Sequence, residues 1–147
     1  MLKICRDKWN LNKDILRKSL SEDRNLNSCD YGYLVKKTID IILAGEEWNT
    51  EEISVIDNGD YQGTLLFVIP KETYQPGAYE YLITYANYGS CSGCDTLLKI
   101  QGWEDNKLPT YLQVTDYMKL CEDLLCNIVK PYDGWYKDDY VPYKEVA

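Results

Sequence analysis

At 147 residues, 45% apolar and 27% charged, the chain has the size and make-up of one globular domain, long enough to bury a core without disulfides or metal to hold it. It contains no histidine, which removes Ser-His-Asp and Cys-His nucleophile pairs and the usual catalytic metal sites that use imidazole. The net charge of -8 is unevenly divided: residues 1–24 carry seven Lys/Arg against four Asp/Glu, a balance of +3, and residues 25–147 carry nine Lys against twenty Asp/Glu, a balance of -11.

An acidic body repels phosphate backbones, and Arg6, Arg17 and Arg24 all fall in the basic N-terminal segment, so direct nucleic-acid binding by the main domain is not expected. No run approaches the roughly 20 apolar residues of a membrane span. The N-terminus is charged at Lys3 and lacks a long apolar stretch, which predicts a cytoplasmic protein with no membrane contact. In a reducing compartment the six cysteines are expected to be thiols.

In chain order, Asn12 to Leu20 places Ile15, Leu16 and Leu20 at helical spacing and predicts a short helix capped by Asn12. A polar loop follows from Ser21, and Asp30 is placed to cap a second helix whose Leu34, Val35, Ile39, Ile42 and Leu43 recur at three and four, with Gly45 closing it. Glu46 to Glu52 reads as an exposed connection carrying Trp48. Ile53 to Ile56, a turn at Asp57-Asn58-Gly59-Asp60, and Tyr61 to Ile69 read as a hairpin ended by Pro70. Tyr79 to Tyr88 supplies a third strand, and Leu97, Leu98 and Ile100 one to two helical turns before Gly102. A last amphipathic helix is predicted from Thr115 as cap to Lys130, with Met118, Cys121, Leu125 and Ile128 on one stripe. The expected fold class is α+β, a three-stranded antiparallel sheet packed by flanking helices, in a single domain over 1–147 whose residues 131–147 form an extended aromatic, acidic tail or strap.

The densest chemistry lies in Gly89-Ser90-Cys91-Ser92-Gly93-Cys94-Asp95, where a strand passes into a helix. Such a loop can aim successive backbone N–H groups at a phosphate or carboxylate. The plainer account is a tight turn whose glycines supply unusual φ angles and whose Ser92 or Asp95 caps the helix. Cys91-x-x-Cys94 has the redox spacing, but hairpins precede it where a thioredoxin-like unit needs a parallel βαβ start, and zinc needs two more ligands. Neither a metal nor a cofactor is expected. Cys121 and Cys126 point about 140° apart on a helix, and with Cys5 and Cys29 they read as buried thiols. A cysteine phosphatase fails because no arginine follows Arg24. The adjacent pairs Glu46/Glu47, Glu51/Glu52 and Asp138/Asp139 do not converge on one point and read as solvated faces.

Fourteen tyrosines against one phenylalanine suit surfaces that meet a partner. The tail gathers Tyr132, Trp135, Tyr136 and Tyr140 with Asp138 and Asp139, so aromatic anchors and carboxylates together match a basic partner surface.

Asp60-Tyr61-Gln62-Gly63-Thr64 and Tyr88-Gly89-Ser90-Cys91-Ser92-Gly93-Cys94-Asp95-Thr96-Leu97 resemble short bacteriophage-encoded hypothetical proteins over about residues 57–131. The resemblance implies a phage origin and action in the cytoplasm of an infected bacterium, and carries no catalytic assignment. The favoured expectation is a non-enzymatic phage accessory protein that binds a host protein with a basic surface and inhibits a defence or nucleic-acid-handling protein. The alternatives are a small-anion or nucleotide site, with or without catalysis, in the 89–95 loop, and a CxxC metal or thiol-redox protein.

Overall fold

The computed structural model describes residues 1–77, 80–102 and 107–129. It bears out the α+β class: four helices, α1 (Lys3–Ser21), α2 (Tyr31–Ile42), α3 (Thr96–Gln101) and α4 (Tyr111–Cys126), pack with an antiparallel sheet of β1 (Ser54–Gly59), β2 (Gly63–Pro70) and β3 (Tyr81–Tyr88). Among the described residues no helix is long and apolar enough to cross a membrane.

The first helix is longer than its predicted core. Cys5, Trp9, Leu16 and Leu20 are its buried residues, a stripe that begins well before Asn12 and is joined by buried Met1 and Leu2. Asn12 is therefore no cap. It lies inside α1, and its Nδ2 donates to the carbonyl of Ile42 at 2.9 Å, satisfying one of the orphan acceptors at the end of α2. Ile15, expected on the buried stripe, is exposed.

The second helix starts as predicted. Asp30 Oδ1 accepts the Tyr33 N–H at 2.9 Å, and the helix buries Tyr31, Leu34, Val35, Thr38, Ile39 and Ile42. Gly45 follows at φ +87°, where a Cβ would be strained. The connection from Glu46 to Glu52 is less free than its glutamates suggest. Trp48 packs on the core and bridges to Lys71, and buried Thr50 donates to Asp40 Oδ1 at 2.6 Å.

The hairpin forms with a shifted turn. Asn58 and Gly59 are the last residues of β1, paired with Thr64 and Gly63, so the loop is Asp60-Tyr61-Gln62. Gly59 is required by proximity: a Cβ there would sit 2.7 Å from the Gly63 Cα and collide with the Gln62 carbonyl. Strand order is β1-β2-β3, with Phe67 opposite both Val55 and Thr84.

Alternation along β2 and β3 sends Phe67, Ile69, Leu82, Thr84 and Ala86 into the core against the helices. Thr84 Oγ1 donates to the Leu124 carbonyl at 2.6 Å, fixing α4 to β3. The cap of α4 is Thr110, whose Oγ1 accepts the Gln113 N–H at 3.1 Å while Gln113 Oε1 accepts the Thr110 N–H at 2.9 Å. Thr115, the predicted cap, lies a turn inside and donates to the Tyr111 carbonyl. The helix ends at Cys126 and not at Lys130, because Val129 has left it to pair with Ile83 on the outer edge of β3.

Candidate functional site

The sheet turns one face to the helices, but the helices do not cover all of it. Val55 and Asp57 of β1 share that face with Leu65 and Phe67 of β2, as their register requires. Phe67 is buried, whereas Val55 remains 53% exposed. Under this overhang lies a cavity of about 430 Å³ between β1, the start of α2 and α3. Its walls include Val55, Leu65, Phe67, Leu97 and Leu98. Three carboxylates, Asp30, Asp57 and Asp95, border it, and none of its lining residues among those described is a lysine or arginine.

Each acidic side chain is held by the fold. Asp30 is the cap of α2. Asp57 Oδ1 accepts the Tyr88 hydroxyl at 2.6 Å, and this hydrogen bond pushes the phenol up to about 12. Asp95 is buried and accepts three hydrogen bonds: its Oδ1 takes the Tyr31 hydroxyl at 2.8 Å and the Leu98 N–H at 3.1 Å, and its Oδ2 takes the Gly89 N–H at 3.0 Å. Asp95 is thus the cap of α3, one of the two residues the sequence proposes for that role. Burial pushes the Tyr31 phenol upward.

The 89–95 loop sits at this end of the sheet, with Asp95 as its inner anchor. Three of its N–H groups are turned inward: Gly89 donates to Asp95, Cys91 to Cys94 Sγ at 3.3 Å, and Cys94 to the Cys91 carbonyl at 3.1 Å. Ser90, Cys91, Ser92, Gly93 and Cys94 are exposed. Neither Gly89 nor Gly93 takes a left-handed backbone, so the unusual φ angles expected of them are absent; the positive-φ glycines among the described residues are Gly45 and Gly102. Gly89 is needed for another reason. A Cβ there would stand 2.5 Å from Cys94 Sγ and 2.6 Å from the Cys94 carbonyl oxygen.

The two loop sulfurs lie 3.3 Å apart. Hydrogen bonding from Cys91, through its side chain and its N–H, holds the Cys94 thiol below its ordinary range. The remaining thiols contrast with this. Burial pushes Cys29 up to about 12 and Cys121 and Cys126 up to about 11. Cys5 and Cys121 are buried, while Cys29 and Cys126 are half-buried, less enclosed than the sequence implies.

Sequence reasoning finds the loop but misses the groove, whose walls come from five separate segments. The alternation of Val55, Asp57 and Leu65 was the available signal, since it puts a carboxylate on the face that carries the core. The residues expected to meet a partner, Tyr132, Trp135, Tyr136, Asp138, Asp139 and Tyr140, and the 131–147 tail as a whole lie outside the described residues. Compared with protein-family models, curated proteins and solved structures, the chain matches none.

Proposed function

We propose that this chain is a non-enzymatic binding protein, a phage accessory factor that receives a basic, apolar segment of a host protein in the groove beneath β1. The observation that carries this reading is the pairing of an exposed apolar wall, Val55 and Leu98, with a rim of carboxylates and, among the described residues, no lining cation. Apolar side chains of the partner supply contact area there, and its lysines or arginines meet Asp30 and Asp57. The -11 balance over residues 25–147 steers such a partner from a distance and repels nucleic acid. A host defence or nucleic-acid-handling protein carries the matching cationic surface, and the resemblance of the 60–64 and 88–97 strings to phage proteins supports that setting.

The test uses the full chain, isotope-labelled, titrated with a synthetic leucine–lysine peptide and with its leucine–glutamate counterpart. The lysine peptide is expected to shift backbone resonances around Val55, Leu65 and Leu98, with affinity falling as salt rises. Val55→Lys and Leu98→Lys, both at exposed positions, are expected to abolish the shifts while leaving the urea midpoint in place. Equal shifts with both peptides, or shifts confined to other surfaces, overturn the reading. So does a large rise in melting temperature with a nucleotide, which places function in a small-ligand site instead.

A further inference from the structure

The two cysteines of the 89–95 loop form a reactive pair that the groove does not use. We propose that Cys91 and Cys94 form a thiol–disulfide exchange site that is oxidised and reduced by small-molecule disulfides and thiols, glutathione being the representative probe. Three observations carry it. Both residues are exposed, whereas Cys5, Cys29, Cys121 and Cys126 are buried or half-buried. Their sulfurs already touch at 3.3 Å, within reach of a bond of about 2.05 Å through a small side-chain movement. The intervening Ser92 and Gly93 are exposed, and a Cβ at Gly93 would meet nothing closer than 3.7 Å, so the loop has room to tighten.

A structural metal is the competing use of such a pair. A closed zinc site takes four ligands. Among the described residues no group of three or more His, Cys, Asp or Glu side chains is placed to hold an ion. Among the described residues the pair is therefore two ligands without a third, and exchange chemistry is what two touching thiols can complete by themselves.

The sequence of bonds follows from which sulfur is the better nucleophile. The Cys91 N–H points at Cys94 Sγ from 3.3 Å, and Ser90 Oγ lies 4.0 Å from the same atom, so negative charge is best held on Cys94. Its thiolate attacks one sulfur of a disulfide RS–SR; the Cys94–SR bond forms, the RS–SR bond breaks, and RS⁻ leaves and takes up a proton from water. Cys91 then gives its proton to solvent and attacks Cys94 Sγ, so the Cys91–Cys94 bond forms and the second RS⁻ leaves, again protonated by water. The dithiol loses two electrons and two protons, and RS–SR becomes two RSH. Excess thiol runs the same steps backwards.

The proposal stands independently of the groove, and its test needs no partner. The full chain is incubated with oxidised glutathione, quenched by alkylation, and digested with trypsin to release the peptide over residues 72–99, which holds both cysteines. The wild-type peptide is expected to be two hydrogens lighter and free of alkyl groups, and to regain two reactive thiols with reduced glutathione. Cys91→Ser is expected to accumulate a glutathione adduct on Cys94. Cys94→Ser is expected to form its adduct on Cys91 several-fold more slowly, because the better nucleophile has been removed. Urea midpoints of both variants check that the fold is intact. Persistence of a glutathione adduct on the wild-type peptide, or double alkylation of that peptide after oxidant treatment, overturns the proposal. Equal adduct rates in the two variants overturn the assignment of Cys94 as the attacking sulfur.

Discussion

The Tyr88 hydroxyl donates to Asp57 Oδ1 at 2.6 Å, tying β3 to β1 across the middle strand. Every residue of β1 is exposed, so this edge strand is held by its ladder to β2 and by little side-chain packing. The clamp thus sets where the outer wall of the groove stands. Because the bond needs the neutral phenol, it raises the Tyr88 pKa to about 12. Its contribution is fully present below the ordinary tyrosine value of about 10 and is lost as pH rises through about 12. Tyr88→Phe is expected to speed amide exchange in β1 at neutral pH and to weaken peptide binding in the groove, with little change in the global urea midpoint. Unchanged exchange at Val55 to Asp57 would show that the ladder alone positions the strand.

Asp95 presents the opposite case, a carboxylate whose partners are part of the core. Removing it leaves the Gly89 N–H, the Leu98 N–H and the buried Tyr31 hydroxyl without their acceptor. A lost cap and orphaned buried donors together cost on the order of 3 kcal/mol, and Asp95→Ala is expected to fall there. Tyr31→Phe removes the hydrogen bond to Asp95 and leaves the buried Leu97 N–H without its acceptor, and is expected to cost about 2 kcal/mol. Urea denaturation of both gives the order. A Tyr31→Phe cost equal to or above that of Asp95→Ala would mean that the hydroxyl, which also accepts the Leu97 N–H at 3.2 Å, is the principal anchor.

Asp23 is expected to contribute to the acid limb of stability. Burial works against its charge, but hydrogen bonds from Tyr33 and Lys37 at 2.5 and 2.9 Å, and from the Asn25 N–H at 2.9 Å, outweigh it and hold the carboxyl below its usual range. Stability from this group is therefore present above the unfolded value of about 3.9 and is lost as pH falls through the lower folded value. Urea midpoints taken from about pH 6 down to about pH 3 should decline less steeply in Asp23→Asn than in wild type. Parallel declines would assign the acid limb to other carboxylates.

What the sequence made legible divides along local and non-local lines. Asp30 and Asp95 were readable as caps because a cap acts within three residues, and the three strands were readable from alternation and turn residues. Asn12 was misread because its partner, the Ile42 carbonyl, is thirty positions away, and a polar residue inside a stripe looks like a boundary when that partner is unseen. The sequence points to Thr115 as the cap for a similar reason. Leu112 is 74% exposed, so the apolar stripe begins only at Val114 while the helix begins before it. The hairpin turn went to Asn58-Gly59 on turn preference, whereas register, set by which residues of β2 face the core, moved it to residues 60–62. The groove needed five segments to meet and had no local signature.

The sharpest test of the loop compares its two glycines, which the sequence treats alike and the structure separates. At Gly89 an added Cβ would stand 2.5 Å from Cys94 Sγ and 2.6 Å from the Cys94 carbonyl oxygen, and the backbone oxygen cannot swing aside as a side chain can. At Gly93 the nearest atom would be Cys91 Sγ at 3.7 Å, an ordinary contact, and the backbone there does not require positive φ. Gly89→Ala is expected to cost about 1–3 kcal/mol as an overpacked site, while Gly93→Ala is expected to be neutral or stabilising by about 0.4–1 kcal/mol through the unfolded chain. The same displacement of Cys94 should slow disulfide closure in Gly89→Ala and leave it unchanged in Gly93→Ala, so stability and oxidation rate move together in one variant and in neither of the other. Urea midpoints and the rate at which the 72–99 peptide loses its two hydrogens decide the matter: a costlier Gly93→Ala, or a Gly89→Ala that oxidises at the wild-type rate, contradicts the packing of Gly89 against Cys94.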